Sequence, residues 1–223
     1  MANAHVLLAK RCMMSHDSPS DIATVVFTDV VGSSRLWNAA PEEMHTALMK
    51  LEKYIFGVCV RNNGTVIKTI GDATMMAFAT LQDALRVAKT VQQHLACKPI
   101  QVGESKLVLR IGIAVGPVKR HTMRVGTHDL IHVLPDLFGP SVNLASRAES
   151  SVSVPGGIAV GILKSDPNAA SYRAMLLNHT PPFTHCTRLT KGSKRPRRSN
   201  RLLHSTEVVK GFNKSDVDFL CMQ

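Results

Sequence analysis

Three charged residues stand inside apolar stretches that would ordinarily exclude them. Asp29 closes the run "IATVVFTDV" (22–30), and Lys68 and Asp72 lie within "GTVIKTIGDATMMAF" (64–78). Buried charge is costly unless it is paired or binds something. Two carboxylates brought to one point offer hard oxygen ligands. Such a set suits Mg²⁺, which takes one or two carboxylates and completes its shell with water and substrate phosphates. Either acid alone reads as a turn residue or a cap. The pair, flanked by apolar strands, points to a cation site. What holds Lys68 and Asp72, a cation and an anion four residues apart, is a separate question.

The segments around these residues must bring them together. Residues 22–30 are β-branched and short and read as a buried strand. A helix opens at Asn38 to Pro41, with Glu42 and Glu43 suited to its first turn. Met44, Leu48, Leu51, Ile55 and Val58 form its apolar stripe, and "NNG" (62–64) stops it. Strands 65–70 and 73–79 follow, joined tightly at Gly71-Asp72. Thr80 and Asp83 cap a second helix with the stripe Ala84, Ala88, Val91, Leu95. "KLVLRIGIAVG" (106–116) is a strand, and 117–137 an irregular hairpin. "FGPSVNLASRAES" (138–150) opens a third helix, and "GGIAVG" (156–161) returns as a strand. "EVVKGF" (207–212) and "VDFLCM" (217–222) are expected to pair as a C-terminal β-hairpin extension.

This order predicts an α+β fold, a ferredoxin-like βαββαβ sheet core with helices on one face. In that topology the first and third strands are neighbours, so Asp29 and Asp72 converge. RNA-binding folds share the layout but need aromatic residues on their central strands. Aromatic residues are 4% of this chain, and strands 65–70 and 106–116 contain none.

Composition narrows the function classes. No apolar run approaches the roughly 18 residues of a membrane span. The first apolar stretch is too short for a secretory signal, and Lys10 interrupts it. Five scattered cysteines without a CxxC argue for a reducing compartment and against a zinc site or a disulfide framework. The net charge of +11 invites a nucleic-acid reading. Yet ten of the 27 Lys and Arg lie in residues 171–215 with a single acid, Glu207. One basic segment reads as a solvated loop, and no specific nucleic-acid partner is expected. Residues 1–19 read as a linker, 20–223 as one domain, and 165–204 as a basic, loop-rich insertion within it.

The segments "VVFTDVVGSSRLW", "GTVIKTIGDATMMAF", "LRIGIAVG" and "LFGPSVNLASRAES" resemble, in order and spacing, the signature segments of the class III nucleotidyl cyclase catalytic domain. The resemblance runs from about residue 20 to the C-terminus. It implies an adenylate cyclase that converts ATP to 3′,5′-cyclic AMP and pyrophosphate. Two Mg²⁺ or Mn²⁺ ions per site and a homodimer with sites shared across its interface are implied with it.

The roles carry over residue by residue as implications of that likeness. Asp29 and Asp72 match the two metal-binding aspartates, with the Val30 carbonyl as a third ligand. Lys68 and Asp136 match the pair that reads the purine. Asn143 and Arg147 match the pair that orients the ribose and stabilises the transition state; four residues apart on a helix, they share one face. Arg110 matches an arginine that reaches the phosphates, and Lys210 a lysine that binds the terminal ones. Lys68 and Asp72 would then serve different halves of a shared site rather than each other.

The sequence departs from the family's pattern between Gly116 and Asp136, a segment longer than usual with Pro135 beside Asp136, and again in 165–204. The alternatives are a guanylate cyclase and a catalytically silent cyclase-like regulatory or dimerisation domain. The expected location is the cytoplasm, or the cytoplasmic face of a membrane if the chain belongs to a receptor cyclase.

Overall fold

The computed structural model describes residues 21–127, 130–152, 154–179, 184–185 and 216–222. The first strand, β1 (Asp21–Val30), leads through a short helix, α1 (Ser33–Ala39), into α2 (Pro41–Arg61). Pro41 sits at the start of α2, where its missing N–H is no loss, and Glu42 and Glu43 oppose the positive end of the helix dipole. Met44, Leu48, Leu51, Ile55 and Val58 are all buried. Each large one contributes about 1.5–3 kcal/mol by burial. The helix ends at Asn62, and Asn63 takes a left-handed φ of 59°.

β2 (Thr65–Ile70) and β3 (Ala73–Phe78) form the tight hairpin expected around Gly71 and Asp72. α3 (Leu81–Cys97) follows, and the Thr80 hydroxyl accepts from the Asp83 N–H at 3.1 Å to cap it. After a small hairpin, β4 (Gln101–Val102) and β5 (Ser105–Lys106), come the long strand β6 (Leu109–Thr127) and its partner β7 (Leu130–Phe138). Then follow α4 (Pro140–Ser151), β8 (Ile158–Leu163), α5 (Ala169–Leu177), β9 (Thr184–His185) and β10 (Val217–Met222).

The main sheet runs β2-β3-β1-β6-β8-β10-β9, with β7 on the far half of β6. β1 is antiparallel to both neighbours, pairing Thr28 with Thr74 of β3 and Asp29 with Arg110 of β6. The first four strands in this order are the ferredoxin-like arrangement, and α2 and α3 cover one of its faces. Alternation sorts the side chains. Val26, Met76, Ile111 and Ile113 join α2 and α3 in one core. Ala23, Val25, Met75 and Ala114 join Leu144 and Ala145 of α4 in another. α4 therefore lies on the opposite face, an addition to the two-helix layer of the core.

Three expectations change. The segment after Gly116 is a regular antiparallel hairpin, with His121 opposite Asp136 and Thr122 opposite Pro135, rather than an irregular one. The stretch 165–204 contains a helix, α5, that its weak periodicity did not signal. The cysteines are not uniformly reduced: Cys59 and Cys97 are free thiols, but Cys221 is disulfide-bonded. β10 joins β8 on one side and β9 on the other. Its expected hairpin partner, 207–212, lies outside the described residues, as do the linker 1–19 and Lys210. Among the described residues no helix is long and apolar enough to cross a membrane.

Candidate active site

Asp29 and Arg110 face each other across the β1–β6 ladder, on the face covered by α4. The Arg110 guanidinium donates through Nη2 to Asp29 Oδ2 at 2.5 Å. Its Nε lies 2.9 Å from Oε1 of Glu149, without hydrogen-bond alignment. Glu149 comes from α4 and is buried. Asp72, in the β2–β3 turn, accepts the backbone N–H of Val30 through Oδ2 at 3.3 Å. This bond ties the turn to the end of β1, so both predicted metal aspartates stand at one end of the central strands.

The electrostatics match that crowding. Burial pushes the Glu149 carboxyl above the usual carboxylate range; Arg110 pulls it back, while the charges of Asp29 and Asp72 push it further up. Glu149 thus shares Arg110 with Asp29 and also feels the charge of Asp72. Among the described residues no group of three or more His, Cys, Asp or Glu is arranged to hold a metal. Asp29 and Asp72 fit the other pattern, a pair of half-exposed hard oxygen donors that would hold Mg²⁺ or Mn²⁺ only together with phosphate oxygens. Val30, whose carbonyl is the remaining expected ligand, follows Asp29 in β1, and its N–H is the donor to Asp72.

The second group is Lys68 and Asp136. The Lys68 ammonium donates to Asp136 Oδ2 at 2.7 Å, and Asp136 Oδ1 accepts the N–H of Leu137 at 2.8 Å. A β-bulge makes this contact possible. The β2–β3 register shifts between Val66, opposite Met76, and Lys68, opposite Met75. Met76 belongs to the α2–α3 core and Met75 to the opposite one. The extra residue, Ile67, flips Lys68 onto the face that β7 and Asp136 approach. With Lys68 38% and Asp136 23% exposed, the ion pair adds about 1 kcal/mol or less to stability. Stability alone therefore gives little reason for its presence.

Asn143 and Arg147 are both exposed on α4, one turn apart, while Leu144, Ala145 and Ala148 face the sheet. No hydrogen bond or ion pair among the described residues joins the Lys68–Asp136 pair to the Asp29–Arg110–Glu149 cluster. A cavity of about 480 Å³ lined by Gln92, Leu107, Leu109 and Ile158 opens beside α3 and includes none of these residues. Glu149 is the member that reading the sequence missed. Its signal was an acid one turn after Ala145, on the stripe that Ser141, Leu144, Ala145 and Ala148 bury.

The family of the adenylate and guanylate cyclase catalytic domain matches residues 16–163. The chain belongs to this family. Adenylate cyclases of Podospora anserina and Neurospora crassa are 30% identical over 164 residues and 32% identical over 143. These matches cover 64% and 58% of the chain but only 7% and 6% of the fungal proteins. Among solved structures, the adenylyl cyclase CyaB from P. aeruginosa superposes with a TM-score of 0.57 at 21% identity, covering 93% of this chain and 97% of that one. The guanylate cyclase domain of RhGC from Catenaria anguillulae, in complex with GTP, gives 0.55 at 23% identity, covering 65% of this chain and 80% of that one. At these identities the structural likeness establishes the fold.

Proposed function

We propose that this cyclase-family domain is an adenylate cyclase, making 3′,5′-cyclic AMP and pyrophosphate from ATP. The observation that carries the reading is the Lys68–Asp136 contact, one fixed donor beside one fixed acceptor. Adenine presents an unprotonated N1 and an exocyclic N6 amine along one edge. Lys68 would donate to N1 and Asp136 accept from N6. Guanine presents the reverse pattern and would leave both groups unpaired in a desolvated pocket.

Bound divalent cations, held by Asp29, Asp72 and the Val30 carbonyl, would acidify the ribose 3′-hydroxyl and offset charge on the leaving pyrophosphate. The chain's own groups supply the rest. Asn143 would hold the ribose so that its 3′-oxygen lies in line with the α-phosphorus, an effect of proximity. Arg147 would meet the charge that grows on the α-phosphoryl oxygens, and Arg110 and Lys210 the charge of the β- and γ-phosphates. The 3′-hydroxyl would give its proton to solvent, the 3′-oxygen would bond to the α-phosphorus, and the bond from that phosphorus to the bridging oxygen would break, with pyrophosphate leaving with the electron pair.

Two groups that do not touch within one chain suit a homodimer in which one subunit's Asp29 and Asp72 meet the partner's base pocket. Met123, Val133, Leu134 and Phe138 lie on the β6–β7 arm and are half exposed, an apolar surface that a second copy would cover. The direct test is production of cyclic AMP by purified protein with Mn²⁺. Asp29→Ala and Asp72→Ala should each abolish it while leaving the melting temperature near wild type. Near-normal turnover by either variant would remove the metal assignment.

A further inference from the structure

Gly112 sets how closely α4 approaches the sheet. A Cβ there would stand 2.0 Å from the Glu149 nitrogen and 2.3 Å from the Ala145 oxygen, so the helix backbone rests directly on β6. That approach delivers Glu149 to the flank of Arg110, two residues back on the same strand face. Arg110 is then divided between two carboxylates, Asp29 at 2.5 Å and Glu149 at 2.9 Å.

This division has a consequence for cation binding. A guanidinium bonded to Asp29 competes with any cation for the same oxygens. Without Glu149, the whole charge of Arg110 would fall on Asp29. With it, Arg110 keeps a second anchor when the Asp29 bond opens, and its Nη end stays aimed at the site.

We propose that Glu149 is a positioning residue that holds Arg110 and so lowers the cost of exchanging the Arg110–Asp29 bond for a bound divalent cation. This rests on the reading of Asp29 as a metal ligand. Glu149 itself would touch neither substrate nor metal. It acts through Arg110 alone.

The test reads Mn²⁺-dependent binding of a fluorescent 3′-deoxy-ATP, which lacks the attacking hydroxyl, so no turnover is needed. Glu149→Gln keeps the shape and removes the charge. It should raise the Mn²⁺ midpoint about tenfold, the usual scale for a residue one shell out from a metal. In an Arg110→Ala background the same substitution should change the midpoint less than about twofold, because its route is gone. A group that serves only packing would lower the melting temperature and leave the midpoint in place. Should Glu149→Gln prove unstable, Arg110→Lys tests the link from the other end: an ammonium cannot span both carboxylates, and the midpoint should again rise. Asp29→Asn is the control. Binding that ignores Mn²⁺ or survives Asp29→Asn overturns the metal reading itself. A midpoint that responds to Asp29→Asn but not to Glu149→Gln overturns only the role of Glu149, as does an equal effect with and without Arg110.

Discussion

Lys68 and Asp136 are 68 residues apart in sequence and 2.7 Å apart in space, joined by strands β2 and β7 that belong to different parts of the sheet. The bulge at Ile67 turns Lys68 to the face where Asp136 waits. If this pair reads adenine, its exchange should alter nucleotide choice. Lys68→Glu with Asp136→Cys should lower kcat/KM for ATP and raise the relative use of GTP, measured with each nucleotide separately. Each lost or mispaired polar contact is worth on the order of tenfold or more in discrimination. Full retention of ATP preference would show that these residues do not contact the base.

Gly112 predicts a packing effect. Gly112→Ala would drive a methyl group into the backbone of α4 at 2.0 Å. Overpacking of this kind costs about 1–3 kcal/mol. Urea denaturation should show that loss, and the displaced helix should also carry Glu149 away from Arg110. Unchanged stability would mean that α4 can retreat freely.

The two free thiols should differ sharply in reactivity. Burial pushes the Cys59 thiol up to about 12, while Cys97 is exposed. Maleimide labelling at pH 8, mapped by mass spectrometry, should modify Cys97 quickly and Cys59 only on unfolding. The raised folded value also sets a sign. The unfolded thiol ionises from about pH 9, so the stability associated with Cys59 is full below that pH and is lost as pH rises toward 12.

A shared site predicts complementation. Asp29→Ala/Asp72→Ala and Asn143→Ala/Arg147→Ala should each be inactive as homodimers. Co-expressed, they should recover roughly a quarter of wild-type activity, because about half the dimers are mixed and each mixed dimer has one intact site. Demonstrated mixed dimers without recovery would place all four residues in one subunit's site.

Periodic patterns explain why much of the fold was legible. The stripe of α2, the stripe and cap of α3, and the β2–β3 hairpin all bury one face, and burial writes period into sequence. The β6–β7 arm was harder, because His121, Thr122, Met123 and Arg124 of β6 and Val133, Leu134 and Phe138 of β7 are exposed, and little burial forces alternation there. A proline ordinarily ends a strand, but Pro117 stands where β6 is about to exchange β1 for β7 as its partner. α1 and α5 are short and lack a clear stripe. The partners of Arg110 were hidden for a different reason. Cross-strand register and the approach permitted by Gly112 are long-range facts, and the bulge that aims Lys68 has no reliable local signature.

The ATP specificity proposed for this cyclase domain rests on the Lys68–Asp136 pair. It is tested most directly by giving the purified chain equal ATP and GTP with Mn²⁺ and separating the cyclic products by chromatography. Cyclic AMP should form in clear excess and should be lost with Asp72→Ala. Cyclic GMP in excess, or no cyclic nucleotide from protein shown to be folded and dimeric, would contradict it.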